Sequence, residues 1–455
     1  MNSNGKLSSM EILIVGAGPA GMAAALAAAP SGANITVLDD NIAPGGQIWR
    51  DGPNASLSAQ ALRLREALAH CTNVQVMCGT RAISIVGSHA LLLEDANRGW
   101  IQHFDTLILC TGARELLLPF PGWTLPGVTG AGGLQALIKA GLPVEGERIV
   151  IAGSGPLLLA AAATARKAGA RVLRVAEQAS LGSVAAFAAQ LARWPSKVLQ
   201  AIALANFSYR TGTQLVAVHG GQHVESVQLR QSGQISSFAC DRVASGFGLV
   251  PNTQFGQLLG CALTTAKNGT QAIKVDSLQA SSVPGVFAAG ECTGFGGAER
   301  ALAQGQIAGL AATNQTKAAQ AVGPERAHWD AFATQLNRRF ALDPALRQMP
   351  QADTLVCRCE DVTHASLTQC NGWTDAKLQS RCGMGACQGR VCGAAAQFLY
   401  GWLPPTPRPP LSPARISTLL ADMTDAPQHQ TRTTSHQGNC VTPDEHAQPF
   451  GTSVA

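Results

Sequence analysis

Two stretches of the chain carry the same hydrophobic pattern. Glu11-Ile-Leu-Ile-Val15 and Arg148-Ile-Val-Ile-Ala152 are apolar runs of strand length, and each breaks into a glycine-rich turn. An alanine-rich stretch of helical character follows each turn. A second strand-like run then ends in an acid, Asp39 in the first case and Glu177 in the second. Strand–turn–helix–strand units of this kind predict an α/β protein in which a doubly wound parallel sheet is used twice. Leu107-Ile-Leu-Cys-Thr-Gly-Ala113 is a further buried strand leaving into a turn, and short strands return at Val283 to Ala289. The stretch 296–313 is glycine-led and Ala/Leu-periodic, which predicts a helix.

Residues 317–350 predict a helical connection. From Thr354 the composition changes, and six of the 13 cysteines fall between Cys357 and Cys392. The proline-rich run 404–410 reads as a stiff extended spacer. The tail from about Asp422 is polar, and no fixed structure is expected for it. The chain thus divides into a discontinuous unit, 10–120 with 270–315, and a second nucleotide-binding-like unit, 121–269. A helical linker, 316–350, a cysteine-rich unit, 351–400, and a spacer with tail, 401–455, complete it.

Composition narrows the class. Of 455 residues, 46% are hydrophobic and 13% charged, which fits a globular chain rich in buried strands and excludes general disorder. The net charge is only +5, and the nearest approach to a basic cluster, Arg338-Arg339, is an ordinary solvated helix face. A nucleic-acid partner is therefore not expected. No run approaches the ~18 consecutive apolar residues of a membrane span, and the polar start, Met1 to Ser9, carries no secretory signal. Thirteen cysteines without export imply reduced thiols in the cytoplasm, where a tight cluster reads as metal-binding or catalytic.

Gly16-Ala-Gly-Pro-Ala-Gly21 directly follows the first strand and opens a helix. Gly16 permits the tight turn, Gly18 lets backbone approach a pyrophosphate, and Gly21 allows close helix–strand packing. The helix N-terminus, beginning at Pro19 and Ala20, offers free N–H groups to phosphate. Asp39 can accept from ribose hydroxyls. Asp40 competes with it, but period-two alternation puts Asp39 on the face of Ile35 and Val37. Downstream, Ser282-Val-Pro-Gly-Val-Phe-Ala-Ala-Gly-Glu291 is another buried strand ending in glycine and acid, and Glu291 can bond a ribityl chain. Pro44-Gly-Gly-Gln47 brings backbone against an isoalloxazine ring.

These segments resemble the flavoproteins with two dinucleotide-binding domains related to glutathione and thioredoxin reductases, over about residues 10 to 315. The resemblance implies FAD held by Gly16, Gly18, Pro19, Ala20, Gly21, Asp39, Asp40, Gly46, Gln47, Thr111, Gly112, Gly290 and Glu291. Gly290-Glu291 stands where those relatives more often carry Gly-Asp. The redox cysteine pair of the disulfide reductases is missing, because Gln47-Ile-Trp-Arg50 follows Gly46 and no pair lies between Cys110 and Cys240. Dithiol–disulfide chemistry is therefore not expected. In the second unit, Gly153-Ser-Gly-Pro-Leu-Leu158 repeats the turn with a leucine in the third small position, which should push the helix off the strand. Glu177 repels the 2′-phosphate of NADP. A different adenine nucleotide, or nothing, is expected there ahead of NADH.

Cys357-Arg-Cys359 can chelate one metal centre, since residues i and i+2 of an extended segment point to one side. Cys387 and Cys392 flank a glycine-rich turn whose amides can bond sulfur, with Arg358, Arg381 and Arg390 to offset thiolate charge. Ordinary buried cysteines and a zinc knot are the competing readings, and zinc favours wider Cys-x-x-Cys spacings. Residues 354–400 resemble the bacterioferritin-associated-ferredoxin-like [2Fe–2S] module. That resemblance implies Cys357, Cys359, Cys387 and Cys392 as ligands, with Cys382 a bystander and Cys370 packing. No other catalytic constellation is present, and Arg114-Glu115 reads as a surface ion pair of little worth.

Across nearly its whole length the sequence is similar to the α (A) subunits of amine dehydrogenases. These include D-hydroxyproline dehydrogenase, opine oxidase, dye-linked L-proline dehydrogenase and hydrogen cyanide synthase. The stretches 45–50 and 246–252 favour the hydroxyproline and opine side. The resemblance implies an oxidase-like β subunit, similar to glycine or sarcosine oxidase, which oxidises a secondary amine. It also leaves room for a small third subunit, an FMN between subunits and peripheral contact with the inner face of the cell membrane. It supplies no catalytic residue. The alternative is a stand-alone NADH-dependent reductase of an iron–sulfur or ferredoxin-type acceptor.

Overall fold

The computed structural model describes residues 10–266 and 269–424. The strand Glu11–Val15 is the centre of a five-stranded parallel sheet. Its order is Val286–Ala288, Thr106–Leu109, Glu11–Val15, Asn34–Asp39 and Val74–Cys78. Both faces are covered, which is why these strands read as near-continuous apolar runs. Ile12 and Ile14 pack on one side with Ile35 and Val37, while Leu13 packs on the other with Leu107 and Leu109.

The alanine-rich composition of the helix Pro19–Ala28 has a packing cause. The helix Ala298–Ala312, where the glycine-led periodic stretch predicted one, lies against it backbone to backbone. A Cβ on Gly305 would sit 2.1 Å from the Ala20 carbonyl oxygen, and one on Gly309 2.2 Å from that of Ala24.

A second five-stranded parallel sheet has the order Tyr209–Arg210, Arg171–Glu177, Arg148–Gly153, Arg242–Gly246 and Val128–Gly130. Each sheet is accompanied by a three-stranded antiparallel meander, Arg81–Val86 to Gly99–His103 in one case and Thr213–His219 to Gln234–Ala239 in the other. The fold is thus α/β with two Rossmann-like sheets. A short antiparallel pair, Ala113–Glu115 with Leu249–Pro251, ties the two units together.

Helices Thr316–Ala321 and Gly323–Arg339 lead to a small C-terminal module. There the pair Leu355–Cys357 and Val362–Thr363 joins helices Trp373–Ser380 and Cys392–Tyr400 around Val356, Leu367, Trp373 and Ala376. Trp123 fixes the module to the second unit by donating from Nε1 to the Leu355 carbonyl at 2.6 Å. The proline-rich run then returns to the first unit. The Leu411 amide donates to Ile83 at 2.8 Å, Arg415 pairs with Glu94 at 3.5 Å, and the helix Ile416–Thr424 follows. The polar N-terminus and the tail beyond Thr424 lie outside the described residues. Among the described residues no helix is long and apolar enough to cross a membrane.

Candidate cofactor sites

The first glycine turn is shaped by what its neighbours leave free. Gly16 has φ +107°, and a Cβ there would lie 2.3 Å from the Cys110 carbonyl oxygen; at Gly21 it would lie 1.8 Å from that of Gly16. Gly18 begins the helix and meets nothing nearer than Gly46 Cα at 3.8 Å, so the approach to the helix N-terminus is open. The Gly45 amide donates to the Ala17 carbonyl at 2.8 Å, which sets the Gly45-Gly46 turn against the side of the first one.

Asp39 is buried and accepts from the Ala17 amide at 2.8 Å and the Asn41 amide at 2.8 Å, latching the turn to the second strand. Asp40 points away and pairs with Arg81 at 3.1 Å on the surface. The glycine turn, Gly46, the Thr111-Gly112 turn and Gly290-Glu291 come together at the carboxyl ends of the parallel strands. Gly290 lies so close to the first helix that a Cβ would meet that of Ala20 at 2.8 Å. Gln47 is exposed and accepts from Arg50 at 2.9 Å. Burial pushes the Glu291 carboxyl above its ordinary value, and Arg300 pulls it partly back. The open helix terminus, the latched acid and the bare Gly112 fit a dinucleotide, and the fold implies FAD.

The second turn is built alike but covered. Glu177 is fully buried and accepts from the Gly155 amide at 2.7 Å and the Ala179 amide at 2.8 Å. The expected displacement by Leu158 is met differently. Its side chain is received at Gly246, where a Cβ would lie 2.9 Å from Leu158 Cδ2. Over the turn lies the chain's own segment 340–343. Ser154 Oγ donates to the Phe340 carbonyl at 2.9 Å, Gln178 Nε2 donates to Ala341 at 2.8 Å, and the Asp343 amide donates to Gln178 Oε1 at 3.0 Å.

In the C-terminal module the sulfurs of Cys357, Cys382 and Cys392 all lie within 4.8 Å of one another and are buried. Cys382, a bystander on the expected ligand set, is in contact with two of its four members. Cys359 is exposed and Cys387 half-buried, and these two lie beside each other. Gly385 makes room for them, since its Cβ would lie 2.3 Å from Cys359 Cβ.

Hydrogen bonds from Cys382 and Cys392, with the Gly383 and Glu360 amides, hold the Cys357 thiol far below its ordinary value. The same sharing pushes Cys382 up to about 12. Thiols this close bind protons competitively, and a cation that replaces the protons is favoured. Buried thiols with amide donors suit a metal centre. Trp373, which the sequence reading missed, is the floor of the glycine-rich turn: Cβ atoms on Gly383 and Gly389 would meet its ring at 2.5 and 3.1 Å.

The guanidinium groups near this cluster have partners of their own. Arg381 turns to Glu360 at 2.7 Å, and Arg390 donates to the Leu411 carbonyl. Arg114 and Glu115 are not an ion pair. Glu115 accepts from the Gly132 and Gly133 amides at 2.7 and 2.8 Å, while Arg114 reaches the Arg390 carbonyl at 3.0 Å.

The model of the family described as pyridine nucleotide-disulphide oxidoreductase matches residues 10–316. Hydrogen cyanide synthase subunit HcnB of Pseudomonas protegens is 30% identical over 92% of this chain and 100% of its own. An opine oxidase subunit of Rhizobium meliloti is likewise 30% identical over 92% of this chain and 100% of its own, so overall identity does not separate the two. Both relatives are named as subunits. The L-proline dehydrogenase structure from P. horikoshii shares the fold with a TM-score of 0.62 at 17% identity, covering 90% of this chain and 79% of that one.

Proposed function

This chain belongs to the pyridine nucleotide-disulphide oxidoreductase family as a flavin-dependent oxidoreductase subunit, and from that premise we propose that it is the electron-transfer subunit of a heteromeric amine dehydrogenase. A glycine- or sarcosine-oxidase-like partner subunit takes two electrons from the CH–NH bond of a secondary amine such as D-hydroxyproline, proline or an opine. This chain passes them on to a quinone or similar acceptor. When bound, FAD would supply two-electron chemistry and a [2Fe–2S] centre one-electron chemistry.

The residues that would hold the flavin are Gly16, Gly18, Pro19, Ala20 and Gly21 at the pyrophosphate. Asp39 would accept from the ribose, with Asp40 outside the turn. Gly46, Gln47, Thr111 and Gly112 would line the ring, and Gly290 and Glu291 would bind the ribityl chain. Cys357, Cys359, Cys387 and Cys392 would hold the cluster, with Cys382 a thiol donor to Cys357. The observation that carries the reading is a buried thiol cluster that contains Cys357 and Cys392, within 4.8 Å of each other, in a chain whose first glycine turn is open to a dinucleotide.

The test is to purify the chain with its partner and measure FAD, iron and acid-labile sulfide. We expect one flavin and one diiron centre per chain and dye reduction by at least one of these amines. Zinc in place of iron, or colourless protein after supplementation with flavin and iron, would sink the reading.

A further inference from the structure

The two candidate sites are joined by one guanidinium. Asn252 follows the strand Leu249–Pro251, which pairs with Ala113–Glu115. Its amide donates to the Gly112 carbonyl at 2.9 Å, its Nδ2 donates to the Thr111 carbonyl at 2.9 Å, and its carbonyl accepts from Thr111 Oγ1 at 2.6 Å. Its remaining polar atom, Oδ1, accepts from Arg114 Nη1 at 3.0 Å. From the other edge of the guanidinium, Nε donates to the carbonyl of Arg390, 276 residues away, at 3.0 Å. The Arg390 amide in turn donates to the Cys387 carbonyl at 3.1 Å. An unbroken run of hydrogen bonds therefore leads from the Thr111-Gly112 turn to the cysteine turn. Arg114 is half-buried; burial and the neighbouring Arg390 weigh against its charge, and Cys387 supports it.

We propose that Arg114, clamped by Asn252, is the positioning residue between the two redox centres. It holds the Cys387–Cys392 turn in register with the flavin-side turn and sets a cation beside the cluster. This rests on the reading that Thr111-Gly112 borders the flavin and that Cys387 carries iron. A thiolate-held cluster gains negative charge on reduction, so a nearby half-buried cation favours the reduced form. Arg has the geometry for the task because its planar fork can bond two carbonyl-type acceptors on different edges at once, which an ammonium on a flexible stem does less well.

The experiment is an EPR-monitored redox titration of the full-length holoprotein, with iron, sulfide and FAD measured on each sample. R114Q is expected to keep its cofactors and to make cluster reduction about tenfold less favourable, ~59 mV for a one-electron couple. R114K, which keeps the charge but loses the two-edged fork, is expected to shift part of the way, by about threefold, roughly half of the ~59 mV that a tenfold change makes for such a couple. A midpoint unchanged in R114Q, or R114K shifting as far as R114Q, would overturn the proposal. Should R114Q lose its iron, N252A decides: a smaller shift in the same direction supports the clamp, and an unchanged midpoint overturns it. An unsubstituted protein with no iron and no EPR signal would instead refute the functional reading.

Discussion

Arg114 and Glu115 are neighbours in sequence and strangers in space. A strand sends successive side chains to opposite faces, so adjacent opposite charges on Ala113–Glu115 cannot pair as they would across a helical turn. Glu115 instead receives the first amides of the helix Ala131–Lys139. Burial pushes its carboxyl above the ordinary 4.5, against the pull of those amides. Such a group supports the fold fully below 4.5 and loses that support as pH rises through its folded value. Thermal unfolding of the unsubstituted protein should therefore show a contribution that weakens with rising pH across this window, and E115Q should flatten it. A slope unaltered in E115Q would assign it elsewhere.

The cysteines supply a second residue-scale test. Cys382 lies with Cys357 and Cys392, whereas Cys359 sits with Cys387 at the surface. With the proposed ligand set, C382A should retain iron and sulfide, and C359A should lose most of both. Iron assays giving the reverse order would move the fourth ligand to Cys382. The close approach of Cys382 to Cys357 crosses 25 residues, including a helix, and spacing along the chain does not reveal it. The glycine turn was legible for the opposite reason. A Cβ on Gly21 would lie 1.8 Å from the Gly16 carbonyl oxygen, within one strand–turn–helix unit, so spacing alone reveals it, whereas the partner of Gly16 is Cys110, at the end of a neighbouring strand. G21A should therefore cost several kcal/mol (about 1–3 for the packing strain, more if the turn opens) and purify with depleted FAD; full flavin content would contradict the assignment.

Among the elements, the two strand–turn–helix units are near twins that diverge through something far away in sequence. The first turn is open. The second is covered by residues 340–343, which enter from the end of the helix Gly323–Arg339 and are bonded by Ser154 and Gln178. The ring of Phe340 is anchored edge-on to Phe187 at 5.1 Å, so the cover is part of an aromatic cluster with Trp194 and Phe332. A local motif shows whether a nucleotide fold is present, but not whether a distant segment lies on it. Anaerobic NADH is accordingly expected to leave the flavin oxidised while dithionite bleaches it. Stoichiometric bleaching by NADH would mean that the segment moves aside, and would favour a self-contained reductase.

At the scale of the whole molecule, the cysteine module is small and strapped at several points. Trp123 holds it to the second unit, Arg114 to the inter-unit pair, and the return of the chain through Leu411 and Arg415 to the first meander. Three of the nine buried residues in its core are the clustered cysteines, beside Val356, Val362, Leu367, Trp373, Ala376 and Ala396. A core of that size does not stabilise a domain alone, and metal binding in such modules is folding energy. The flavin unit has its own much larger core on both faces of its sheet. Chelation of the metal should therefore split thermal unfolding into two steps. Protease sites within 351–400 would open at low temperature, while flavin would be released only at the higher transition. The straps should delay the first step without merging it with the second. If the metal-free protein instead melts in one transition that releases flavin and exposes the module together, the straps dominate the metal, and the three units fold as a single cooperative body.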